Sequence, residues 1–99
     1  MRIISVKTIK DFCDNLDHQD SEQPLRSWYY EAKKDEWKTP SDIKKKYKSA
    51  SILKNKRVVF NIAGNKYRLV VAIKYNFQIV YIRFIGTHTE YNKINAEKI

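Results

Sequence analysis

Four side chains in the C-terminal third have the types and spacing for acid–base chemistry on an anion: Arg68, Arg83, His88 and Tyr91. Arg68 stands in "YRLVV" and Arg83 in "YIRFI", each interrupting a strongly apolar run. A guanidinium inside a strand is costly unless it is paired or faces a site. Residues 43–89 contain no Asp or Glu at all, so neither arginine has an acidic neighbour in sequence. One reading is an external anion, because the planar guanidinium fork matches phosphate with two hydrogen bonds. The other is that both heads snorkel to solvent at the sheet edge. His88 adds an imidazole, the natural acid or base for chemistry near neutral pH. Tyr91 adds a phenol, an acid or base only if cations depress its pKa, and otherwise a stacking surface for a base. Two cations, an imidazole and a phenol are the parts of a metal-free RNA cleavage site. One group takes the 2′-OH proton, one protonates the leaving 5′-oxygen, and the cations hold the charged phosphate.

Three strands must position these groups. "RVVFNI", "KYRLVVAI" and "QIVYIRFI" carry strand character, separated by turns at Gly64-Asn65 and around Asn76 where φ is expected to be positive. Short links make them an antiparallel meander, which sets Arg68 and the end of the strand carrying Arg83 side by side. Thr87 with Glu90 three residues on predicts a capping box that opens a terminal turn holding His88 and Tyr91. Upstream, "MRIISV" reads as an opening strand. Ile9, Phe12, Cys13 and Leu16 predict an amphipathic helix with Thr8 as N-cap. A second helix starts near Pro24 and carries Leu25, Trp28, Tyr29 and Ala32 as core residues. Thr39-Pro40-Ser41-Asp42 is expected to break that helix, with a basic turn after it in which Lys44, Lys45 and Lys46 seek phosphate or form a solvated run. The expected architecture is α+β: an N-terminal strand and two helices packed on an antiparallel meander sheet. The near-continuous apolar strands require cover on both faces.

Composition bounds the rest. The chain has 99 residues, 42% of them hydrophobic, and is expected to form one domain over residues 1–99. Its net charge is +9, unevenly spread. Residues 1–32 hold 4 basic and 6 acidic groups; residues 33–99 hold 16 basic and 5 acidic. That asymmetry points to a polyanionic partner. Cys13 is the only cysteine, so no intramolecular disulfide and no cysteine-based zinc site forms. No apolar run is long enough for a membrane span, and the N-terminus lacks a signal-peptide core, which leads to a cytoplasmic expectation. Asp14, Asp17, Asp20 and His18 are expected to be solvated and without a role.

The two segments Phe60-Asn61-x-x-Gly64-Asn65-x-x-Arg68 and Tyr81-Ile82-Arg83-x-x-x-Thr87-His88-x-Glu90-Tyr91 resemble the signature of HigB-type toxins, mRNA interferases of the RelE superfamily. The resemblance covers nearly the whole chain. It implies a RelE/ParE-like fold and the toxin of a type II toxin–antitoxin pair. It implies an endoribonuclease that cleaves translated mRNA on the ribosome without metal or cofactor, by 2′-OH attack. The implied partners are a cognate HigA-type antitoxin, the ribosome and mRNA, with operator DNA reached only through the antitoxin complex and no membrane. Arg68 and Arg83 would hold phosphate, His88 and Tyr91 would act as acid–base or stacking groups, and Lys56, Arg57, Asn61 and Lys66 would line the RNA path. Asn92 stands after the tyrosine, which argues against a carboxylate base there. The competing reading is a non-catalytic RNA-binding or gyrase-inhibiting member of the same fold.

Overall fold

The computed structural model describes residues 1–99. The chain is α+β, with four α-helices and a five-stranded mixed sheet. The strands are β1 (Arg2–Ile4), β2 (Ser51–Ile52), β3 (Arg57–Ile62), β4 (Tyr67–Lys74) and β5 (Ile79–Thr87), in the order β1-β5-β4-β3-β2. The helices are α1 (Val6–Asp14), α2 (Glu22–Lys34), α3 (Pro40–Lys46) and α4 (His88–Tyr91).

The meander β3-β4-β5 forms where period-two apolar residues predict it, and all of its pairings are antiparallel. The N-terminal strand joins the meander in one sheet as expected, as an edge strand whose direction the sequence left open. β1 pairs parallel with β5, through Arg2↔Ile79, Ile3↔Val80 and Ile4↔Tyr81. The long path through the helices lets the chain return to the sheet in the same direction, which a tight hairpin cannot do. β2 pairs with only two residues of β3, Val58 and Val59.

Alternation along the strands separates the two faces. Phe60, Tyr67, Leu69, Val71, Val80 and Ile82 face the helices and pack with Leu25, Trp28, Ala32, Trp37 and Ile43 into the main core. Val59 and Val70 face the other way and are covered by Ile94 and Ala96 beyond α4, together with Phe84 of β5 and Tyr91 of α4. The Arg57 guanidinium anchors that covering segment by donating to the Ile99 carbonyl oxygen at 2.9 and 2.6 Å. The Asn55 side chain donates to the Glu97 carbonyl at 3.0 Å.

Three local expectations change. The N-cap of α1 is Ser5, at φ 73, not Thr8, because β1 ends at Ile4 and one left-handed residue turns the chain straight into the helix. Thr39-Pro40-Ser41-Asp42 ends no helix; it starts α3. Pro40 takes the first turn, and the Asp42 carboxylate accepts from the backbone N–H groups of Thr39 at 3.1 Å and Lys38 at 2.9 Å. In the turns, Ala63 (φ 54), Gly64 (φ 67) and Gln78 (φ 53) take the left-handed conformation, rather than Asn65 or Asn76.

Candidate functional site

The predicted groups fall into two clusters, set by strand register. In the β4–β5 ladder Tyr67 pairs with Thr87 and Arg68 with Gly86. A bulge follows: Val70 pairs with Phe84 but Val71 with Ile82, so Arg83 is the extra residue of β5. Arg83 therefore lies three residues down the strand from the register of Arg68, about 10 Å away.

The first cluster sits at the end of β5. Thr87 caps α4 as its spacing predicts: its hydroxyl accepts from the Glu90 N–H at 3.2 Å, and the Glu90 carboxylate accepts from the Thr87 N–H at 2.8 Å. Those bonds hold the Glu90 carboxyl below its ordinary pKa. His88 opens the helix, exposed, and its backbone N–H donates to the Lys66 carbonyl at 3.1 Å, which places it beside the start of β4. Arg68, half-buried, donates to the carbonyls of Asn65 at 2.8 Å and Tyr67 at 3.3 Å. Tyr91 is half-buried against the Val59–Val70–Ala96 cluster.

A strap from the 3-10 segment Leu16–Ser21 fastens this end. The Asp20 carboxylate accepts from both the Lys66 ammonium and the phenol of buried Tyr67. Asp20 is exposed as expected, but it is not without a role, because the segment packs against the start of β4. These two donors hold the Asp20 carboxyl below its ordinary value, and burial together with the carboxylate pushes the Tyr67 phenol up. His18 is corrected too: it is half-buried, its ring stacked on Phe12 with centroids 4.1 Å apart and edge-on to Tyr67 at 5.6 Å.

The second cluster is a groove of about 290 Å³ at the other end of the sheet, lined by Lys56, Arg57, Lys74, Tyr81 and Arg83 among others, with no carboxylate. The Arg83 guanidinium lies 5.4 Å from the centroid of the Tyr81 ring, and the Lys74 ammonium 5.8 Å. Lys56, Lys74 and Arg83 make no side-chain hydrogen bond or ion pair, whereas Arg57 is bonded to the carbonyls of Ile99 and Asn55. Sequence reading gave Lys74 no role and took Tyr81 only as part of the family signature. Their signal was the position of Lys74 at a strand end and of Tyr81 two residues before Arg83 on the same strand.

Of the remaining candidates, Asn61 lies beside Arg68 of the first cluster, and the α3 lysines lie apart from both. Asn61 pairs with Arg68 in the ladder and donates to the Ser49 carbonyl at 3.3 Å. On α3, Lys44 donates to the carbonyls of Lys48 at 2.7 Å and Ala50 at 2.6 Å. Lys46 pairs with Asp35 at 2.8 Å, which leaves Lys45 as the exposed cation of the run without a partner. No three of His, Cys, Asp and Glu converge into a group that could hold a metal ion. No helix is long and apolar enough to cross a membrane.

Fold and surface together define a small basic α+β domain whose cations outnumber their partners on one sheet face. Residues 21–94 match the HigB toxin family, described as the RelE-like toxic component of a toxin–antitoxin system. The chain is 31% identical over 98 residues to the mRNA interferase toxin HigB of Escherichia coli K12, covering 97% of this chain and 92% of that protein. The mRNA interferases HigB of Escherichia coli O157:H7 and Shigella flexneri match to the same extent. The chain belongs to the HigB toxin family.

Proposed function

We propose that this chain is an endoribonuclease toxin with a RelE/ParE-like fold. It acts in the cytoplasm on translated mRNA held by the ribosome and is neutralised by a HigA-type antitoxin, through which alone it reaches operator DNA. Family membership supports the toxin assignment, and the relatives carry the name mRNA interferase. The observation that carries the chemistry is that Arg68 and Arg83 have no carboxylate partner: Arg68 bonds only to carbonyls and Arg83 rests on an aromatic ring. Both keep full positive charge for a phosphodiester.

In the reaction, the 2′-oxygen attacks the adjacent phosphorus as its proton leaves. The bond from phosphorus to the 5′-oxygen breaks, and that oxygen takes a proton. The products are a 2′,3′-cyclic phosphate and a 5′-OH. His88, exposed at the start of α4, handles one proton transfer. Tyr91 donates the other or stacks on a base. Arg68 and Arg83 stabilise the charge that builds on the phosphate oxygens. Lys56, Arg57, Asn61 and Lys66 line the RNA path, and the α3 lysines Lys44, Lys45 and Lys46 hold its backbone. The ribosome supplies substrate positioning, which a site with so few reactive groups needs.

The test is induced expression of wild type and His88→Ala with 5′-end mapping of a reporter mRNA. Cuts that vanish in His88→Ala and on removal of the reporter's start codon are expected. Growth arrest without cuts would favour a gyrase-inhibiting or purely binding protein. Cuts that persist without translation would remove the ribosome from the mechanism.

A further inference from the structure

Beside Arg83, the groove at the far end of the sheet holds cations that take no part in the proposed reaction. Lys74 lies six residues beyond Arg68 on β4, about 20 Å along the strand. It projects from the same face as Tyr81, since Ala72 pairs with Tyr81 and Lys74 with Ile79. The Tyr81 ring thus has an ammonium at 5.8 Å and a guanidinium at 5.4 Å. Such contacts satisfy the ring but leave the N–H donors of both cations without acceptors. Lys56 enters the same groove from the β2–β3 turn, also without a partner. Ala72, Ile73 and Tyr75 add apolar lining.

We infer that Lys74 and Tyr81, with Lys56, form a subsite for one nucleotide of single-stranded RNA, displaced along the β4–β5 ladder from the scissile phosphate with Arg83 between the two. It rests on the reading of the chain as an RNA-cleaving toxin. The phosphate takes the idle donors of Lys74 and Lys56, which draws Lys74 off the Tyr81 ring, and the base stacks on the face it leaves. This pairing of cation and aromatic ring is how proteins hold single strands without reading their sequence. No carboxylate lines the groove to repel the phosphate. The subsite fixes the strand at a distance from His88 and so sets the register in which it meets the catalytic groups.

The test is fluorescence anisotropy with a short labelled single-stranded RNA across a salt series. Lys74→Gln and Tyr81→Leu each weaken binding about tenfold. Tyr81→Phe, which keeps the ring, binds as wild type does. Lys74→Gln also lowers the salt slope by roughly 0.7, one phosphate contact. Lys7→Gln, on the exposed face of α1, is the control and changes nothing. Melting curves confirm folding of each variant. In cleavage of the translated reporter, the two weakened variants raise KM and hold kcat. Co-pelleting with ribosomes separates two sources of the strand: weakened pelleting assigns the subsite to ribosomal RNA, and unaltered pelleting to mRNA. Folded Lys74→Gln and Tyr81→Leu that bind RNA like wild type overturn the subsite, as does a loss confined to binding of a polyglutamate peptide, which would assign the groove to an acidic protein. RNA binding that depends on Lys74 and Tyr81 in a chain that cuts no mRNA would keep the subsite and refute the nuclease.

Discussion

The two ends of the β4–β5 ladder treat positive charge in opposite ways. At the His88 end, Lys66 is tied to Asp20, Arg68 to two carbonyls, and the first turn of α4 to a capping box. At the Arg83 end, Lys56 has no partner, Lys74 and Arg83 have only the Tyr81 ring, and Arg57 alone is tied, to the Ile99 and Asn55 carbonyls. Bonded groups are already oriented, so they lose little freedom when a reacting phosphate arrives, which suits chemistry. Free groups must be ordered on binding but have no bonds to give up, which suits capture of a strand. Arg83 belongs to both arrangements, because the bulge of β5 sets it between the proposed catalytic end and the open groove.

The sharpest way to break this division is Arg83→Ala. The side chain supports nothing in the fold, so thermal stability stays within about 0.5 kcal/mol of wild type. Cleavage falls by roughly a hundredfold, the scale for loss of one transition-state charge stabiliser. A folded variant with wild-type cleavage rates would place Arg83 outside the chemistry. Next in size is Gly86→Ala, at the tied end. A Cβ there would stand 2.5 Å from the Phe84 Cζ and 3.1 Å from the Glu90 Oε1. The crowding destabilises by about 1–3 kcal/mol and pushes α4 from its seat, so His88 moves with it. Urea unfolding with a lower midpoint and an unchanged slope is the expected result; a wild-type midpoint would show that Phe84 swings clear. Thr87→Ala is smaller, about 1 kcal/mol, because it removes only one arm of the cap.

Local signals in this chain were legible and long-range ones were not. Thr87 and Glu90 stand three apart, so their capping box could be read directly, and the meander showed in its alternation. Thr39 and Asp42 carry the same spacing, yet Pro40 suggested a stop where it marks a helix start. The parallel seat of β1 depends on a partner some seventy residues away, and the bulge that separates Arg83 from Arg68 is a property of the pairing rather than of either strand. The absence of carboxylates over residues 43–89 foretold that the arginines would be unpaired. It could not foretell Asp20 reaching Lys66 from outside that window, nor that the C-terminal segment would cover Val59 and Val70.

Asp20 supplies the subtlest test of the comparison, because one substitution turns a tied cation into a free one. Its carboxyl is held below its ordinary value of 3.8 by the Lys66 and Tyr67 donors. Glu90 is held below 4.5 by the Thr87 N–H and hydroxyl. A depressed folded-state pKa stabilises fully above the unfolded value and is lost as pH falls through the folded one. Wild-type stability therefore declines below about pH 4.5, and Asp20→Asn removes the part due to Asp20, flattening the acid limb in melting curves. At pH 7 the exposed ion pair contributes little, so the variant stays folded. What changes at neutral pH is Lys66, charged in both proteins but no longer neutralised locally. If it then meets the strand, the salt slope for RNA binding rises by roughly 0.7. An unchanged slope would mean that Lys66 serves only to hold the start of β4 against the 3-10 segment, and that the RNA path bypasses it.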